Sequence, residues 1–149
     1  DIKVSIPIIK DILRAYHIPI LQVDGYEADD IIGTVATKAG ETGIETYMLT
    51  PDKDYGQLIK TNIYMYRPQH GGGYEKIGVN EIEQKYGISS PAKVIDLLAL
   101  MGDTADNYPG CPGVGEKTAV KLINQFGSVE NLIQRTNELK GKIKEKYLN

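Results

Sequence analysis

The sequence predicts an α/β fold, with a parallel sheet and flanking helices, followed by an all-helical arm. Three observations carry that expectation. Short apolar runs alternate with segments of helical period as far as Ile63–Tyr66, which implies crossovers and parallel strands. From Gly78 onward the apolar spacing is helical throughout. Within that part lies PGCPGVGEKTA, Pro109–Ala119, a tight turn that opens a helix near Gly115–Glu116.

Each element follows from its own pattern. Ile6, Ile9, Leu13 and Tyr16 recur at helical spacing over Asp1–Tyr16, with Pro7 placed in the first turn. His17–Val23, HIPILQV, reads as a short buried strand, and Asp24-Gly25 as a turn. Glu27-Ala-Asp-Asp30 opens a helix carrying Ile31, Ile32, Val35 and Ala36, ended by Gly40 or Gly43. Thr46–Thr50 is a second strand and Pro51–Asp54 the loop at its C-terminal end. A short helix through Leu58 and Ile59 leads to a third strand, Ile63–Tyr66. His70-Gly-Gly-Gly-Tyr74 is expected at a hairpin tip running into Tyr74–Ile77; no Lys-Ser/Thr or helix follows that would make it a phosphate cradle. Helices are expected over Val79–Tyr86, Pro91–Met101, Glu116–Phe126 and Val129–Thr136, then a lysine-rich tail over Glu138–Tyr147. This gives a partial α/β core over 1–87 and a helical arm over 88–149.

Composition narrows the function classes. Hydrophobic residues make up 41% and charged residues 25%, ordinary for a globular protein. The longest apolar run, around Val94–Met101, is too short to span a bilayer, so no membrane partner is expected. A single cysteine, Cys111, rules out an internal disulfide. Ten tyrosines stand against one Phe and no Trp; they pack at half-buried positions or stack on bases. His17 and His70 have no spacing partner for a metal site. The net charge of −3 conceals an uneven distribution. Seven acids fall in three clusters: Glu27, Asp29 and Asp30; Asp52 and Asp54; Asp103 and Asp106. The other 13 acids face 17 basic residues, a net +4 elsewhere, and a concentrated acidic spot on a mildly basic body suits a metal-dependent nuclease.

The acids invite hard divalent cations such as Mg²⁺ or Mn²⁺. Glu27 and Asp30 share a helix face, and Asp103 and Asp106 would do so if helical. Convergent carboxylates repel unless a cation is bound, and two ions about 4 Å apart could activate water and stabilise a leaving oxygen. Plainer roles exist too: EADD suits a helix dipole, and Asp52 could cap a helix. The turn before Glu116 offers helix N–H groups to a phosphate, with Lys117 and Lys121 one turn apart beside it. Acids beside a phosphate-binding turn point to phosphodiester chemistry.

Three segments, VDGYEADDIIGTVA, TPDKDYGQLI and LMGDTADNYPGCPGVGEKTAVKLINQFGSVENLI, together resemble the consecutive C-terminal motifs of the 5′-nuclease domain of bacterial DNA polymerase I, a relative of flap endonucleases. The resemblance runs over essentially the whole chain. It implies a PIN-like sheet with its N-terminal strands missing here, and hydrolysis by two divalent cations at 5′ ends, nicks and flaps of DNA. Glu27, Asp29 and Asp30 carry over as ligands of the first ion or bridging acids, and Asp52, Asp54, Asp103 and Asp106 as ligands of the second; Asp29, Asp52 and Asp54 stand nearest the chemistry. The turn resembles a helix–hairpin–helix, with Gly113, Val114 and Gly115 against duplex phosphates, Lys117 and Lys121 in support, and K⁺ on backbone carbonyls. Covalently linked polymerase domains and a nucleoid-associated place in the bacterial cytoplasm follow from the same resemblance. Because Asp1 starts directly before an apolar-periodic segment, the chain is expected to be a fragment, impaired in cleavage and prone to self-association at an uncovered sheet edge. The principal rival is a non-catalytic duplex-binding module with vestigial acids. A PIN-type ribonuclease would not need the hairpin, and a phosphatase would need Asp52 directly after its first strand.

Overall fold

The computed structural model describes residues 1–139, so most of the expected lysine-rich tail lies outside the described residues. The chain forms two units, Asp1–Val35 and Ala36 onward.

In the N-terminal unit, α1 (Ile2–Ala15) is capped by Asp1, whose carboxylate accepts the Lys3 N–H at 3.1 Å. That cap starts the helix earlier than expected, so Pro7 sits in the helix interior rather than its first turn. The helix ends on His17 at φ 55°, with the Ile18 N–H donating to the Leu13 carbonyl at 2.9 Å. The strand expected at His17–Val23 does not form. A strand needs a neighbour for its N–H and C=O groups; no described strand pairs with this segment and Pro19 has no N–H to offer. Ile18, Leu21 and Val23 are half or more exposed. Gly25, at φ 83°, makes the turn before α2 (Ala28–Glu41).

The second unit holds the sheet. β1 (Thr46–Leu49) pairs parallel with β2 (Ile63–Pro68), as expected, and β2 pairs antiparallel with β3 (Tyr74–Ile77) through the glycine-rich hairpin. One face is apolar and buried: Met48, Ile63, Met65 and Ile77. The other carries Tyr47, Tyr64, Tyr66 and Tyr74 in ring contact, with the Lys76 ammonium 3.7 Å from the Tyr64 ring centre. The connection from β1 to β2 is a 3₁₀ helix, Lys53–Leu58. The end of α2 packs so closely on β2 that a Cβ on Gly40 would lie 2.6 Å from Ile63 Cδ1.

The helical part comprises α3 (Val79–Tyr86), a 3₁₀ turn at Pro91–Lys93, α4 (Val94–Met101), α5 (Glu116–Phe126) and α6 (Val129–Gln134). A 3₁₀ turn, Thr136–Glu138, follows where α6 was expected to continue. Val94, Leu97 and Leu100 of α4 are buried with Ala119, Leu122, Ile123 and Phe126 of α5. Asp96 ties α4 to α6 by accepting the Val129 N–H at 2.9 Å. No described helix is long and apolar enough to cross a membrane.

Candidate metal centre

Two loops build the site, and each is shaped by its own backbone. After β1, the buried Thr50 accepts the Asp52 N–H on its hydroxyl at 3.1 Å. Asp52 in turn caps the 3₁₀ helix by accepting the Asp54 N–H at 3.0 Å. This sets Asp54 in the first turn, where its Oδ1 is buried with no hydrogen-bond partner among the described residues.

The second loop follows α4. Asp103 and Asp106 do not share a helix face, because α4 stops at Gly102, φ 78°, and the chain closes on itself. Asp103 and Tyr108 exchange backbone hydrogen bonds at 2.8 and 2.7 Å, and the Cys111 N–H donates to the Leu100 carbonyl at 2.8 Å. The neck is glycine on both sides. A Cβ on Gly110 would lie 2.3 Å from the Gly102 nitrogen, and one on Gly102 would lie 2.6 Å from the Tyr108 carbonyl. Within the loop, Asp103 Oδ1 accepts the Ala105 N–H at 2.8 Å.

The two loops bring Asp54, Asp103 and Asp106 together, one carboxylate oxygen from each lying within 4.8 Å of the others. Mg²⁺ holds its oxygens at about 2.0–2.1 Å, so opposite ligands stand about 4.2 Å apart, and the three oxygens need close by no more than about 0.6 Å, a small side-chain adjustment, to share one such ion. The electrostatics are divided. Burial, then the nearby Asp52 charge, push the Asp54 carboxyl above its ordinary value; Lys53 pulls the other way, and Asp103 and Asp106 add lesser upward pushes. Asp103 is held below its ordinary value by its bond from Lys53, 2.5 Å away, and by the Ala105 N–H. An orphaned buried oxygen among like charges is the environment a cation relieves.

The other expected residues are placed differently. Asp52 stands outside the three-acid group and serves as a cap. Glu27, Asp29 and Asp30 belong to the N-terminal unit, all exposed, with Asp30 accepting the Glu27 N–H at 3.1 Å. At the turn before α5, Val114 is buried and its N–H donates to the Cys111 carbonyl at 3.0 Å, so it anchors the turn rather than facing solution. Gly113, φ 79°, and Gly115, the N-cap of α5, are exposed, as are Lys117 and Lys121. Sequence reasoning missed Lys53, Gly102 and Gly110. The two glycines flanking an acidic loop were a usable signal; Lys53 had none beyond its seat between two acids.

Comparison with known proteins decides the family. The profile of the 5′-3′ exonuclease N-terminal resolvase-like domain matches residues 1–87, and that of the 5′-3′ exonuclease C-terminal SAM fold matches residues 89–149. The chain belongs to the 5′-3′ exonuclease family. Among its relatives, DNA polymerase I of Bacillus caldotenax is 42% identical over 97% of the chain, which spans 17% of that protein. The 5′-3′ exonuclease of Aquifex aeolicus (strain VF5) is 41% identical over 89% of the chain, which spans 45% of it. Solved structures show the same fold. T5 5′-exonuclease with divalent metal ions (zinc) bound matches with a TM-score of 0.76 at 24% identity, over 87% of this chain and 46% of that one. The catalytic core of Rad2 in complex with DNA substrate matches with a TM-score of 0.66 at 21% identity, over 97% of this chain and 48% of that one.

Proposed function

We propose that this chain supplies the second-ion centre and the DNA-gripping arm of a metal-dependent 5′-3′ deoxyribonuclease that hydrolyses DNA at 5′ ends, nicks and flaps. The observation that carries the reading is the meeting of Asp54 with Asp103 and Asp106, whose loops are about 50 residues apart in sequence, around an oxygen that has no donor among the described residues. The relatives add weight, since they are DNA polymerase I and 5′-3′ exonuclease proteins. So do the fold's solved relatives, one of which is a T5 D15 flap endonuclease complex with DNA and metal ions.

Asp54, Asp103 and Asp106 would hold one cation, Mg²⁺ or Mn²⁺, with Asp52 setting the orientation of Asp54 through its cap. Glu27, Asp29 and Asp30 would serve the other ion. A divalent cation supplies an activated water and charge neutralisation at the leaving oxygen. The residues of the chain hold the charges: Lys53 keeps Asp103 ionised and the loop neck fixes where it stands. At the arm, the first N–H groups of α5, with Gly113, Gly115, Lys117 and Lys121, would take duplex phosphates, with K⁺ on the turn's carbonyls. The working division is a nuclease core over 1–87 and an arm over 88–149, linked in the parent protein to polymerase domains in a bacterial cytoplasm.

The test is cleavage of a 5′-labelled flap duplex in Mn²⁺, with duplex binding followed in the same samples. Cleavage or Mn²⁺ binding that disappears in Asp54→Asn supports the centre. Duplex binding that needs Lys117, with no Mn²⁺ bound at all, would instead establish the chain as a binding module with vestigial acids.

A further inference from the structure

Lys53 lies between the two acids of the β1 loop, and its Nζ reaches across to Asp103 Oδ2 at 2.5 Å. Both oxygens of Asp103 are therefore engaged, Oδ1 by the Ala105 N–H and Oδ2 by the lysine. The two partners differ in freedom. The Asp103 side chain is 13% exposed and its loop is clamped at the neck, whereas Lys53 is 46% exposed on a flexible stem. A cation that uses Asp103 competes with one donor it cannot move, a backbone amide, and one it can, an ammonium. The ammonium also feels the Asp54 charge, so it offsets charge across more of the group than one pair.

We propose that Lys53 is an internal counter-ion of the three-acid group, exchanged at Asp103 for the incoming divalent cation. The inference rests on the metal-centre reading above and adds a positioning residue to it. Lys53 keeps the carboxylates gathered before loading, and lowers cation affinity by occupying one of them. Its ammonium leaves Asp103 as the cation arrives.

Mn²⁺ titration of the 149-residue chain, followed by the free-ion electron paramagnetic resonance signal, tests this. Lys53→Met is expected to bind Mn²⁺ about three- to tenfold more tightly at low salt, with the difference shrinking as salt is added. Lys53→Arg, which retains the charge, should stay within about twofold of the unaltered chain. Equal or weaker binding by K53M overturns the exchange and leaves the metal centre standing; absence of Mn²⁺ binding in every protein overturns both. A second measurement needs no variant. In the unaltered chain, Mg²⁺ should move the Lys53 Cε resonance in step with occupancy, and a resonance that stays put while Mg²⁺ binds overturns the exchange.

Discussion

The acids at Glu27–Asp30 and those at Asp54, Asp103 and Asp106 look alike in sequence and differ in physics. The first set opens a helix, stays exposed, and has a local use: Asp30 takes an N–H at the positive end of α2. The second set is assembled from two loops, places an oxygen in a buried position with no donor among the described residues, and raises the pKa of one member. Local acids repay their own placement, while convergent ones need something from outside the chain to do so. The contrast marks the second group as the stronger metal candidate on structure alone.

The largest way to break that contrast is to open the loop neck. Gly110→Ala should destabilise the fold by about 3 kcal/mol and abolish Mn²⁺ binding, because its Cβ would meet the Gly102 backbone and its φ is 59°. Gly115→Ala, with open space at its Cβ and φ −93°, should cost only about 0.5–1 kcal/mol, the difference between Gly and Ala at an N-cap. Urea denaturation checks both. Next, Asp54→Asn should weaken Mn²⁺ binding by more than about tenfold while raising the melting midpoint, since it removes a crowded, partly buried charge. Asp30→Asn should lower the stability of the fold by about 0.5 kcal/mol, the worth of an acid at a helix start. Opposite signs in the two thermal melts would sharpen the comparison, and equal signs would undo it.

Acidity divides the convergent group further. Asp103 is depressed, so its contribution to stability is present above the ordinary aspartate pKa and is lost as pH falls through its lowered value. Asp54 is raised, so its charge opposes folding above its elevated value, and that opposition is relieved as the acid takes up a proton. On acidification Asp54 should protonate first, and Mn²⁺ affinity should fall while the Lys53–Asp103 pair survives. Carboxyl ¹³C titration reads both; Asp103 protonating first would contradict the assignment. The smallest effect concerns the sheet edge. Among the described residues β1 is an edge strand, with Tyr47 and Leu49 exposed, so light scattering should show weak self-association that rises with concentration. A clean monomer at high concentration would count against it.

Most of the regular structure was legible because its causes are local. Val79–Tyr86 and Glu116–Phe126 stand at the bounds their spacing predicts, since a helix forms its hydrogen bonds within itself. His17–Val23 failed for the converse reason: a strand depends on a neighbour, and period alone cannot say whether one is there. Within the site, the acids were legible as residues and their assembly was not. Nothing in the local pattern of GDTADN announces a closed loop, because the closure depends on Gly110 meeting Gly102 eight residues away. Val114 shows the same limit: it is an apolar residue in a glycine-rich turn, and its side chain is taken up by the core of the arm, which the local pattern does not announce.

The pinched neck at Gly102 and Gly110 has a consequence for engineering. The loop's two ends are joined by backbone atoms, so its interior, Thr104 to Asn107, is insulated from the helices on either side. Such a segment behaves as a cassette: residues within it can be exchanged or recoded for another ion with little disturbance of α4 or α5, provided the glycine pair and the left-handed Asn107, φ 55°, are kept.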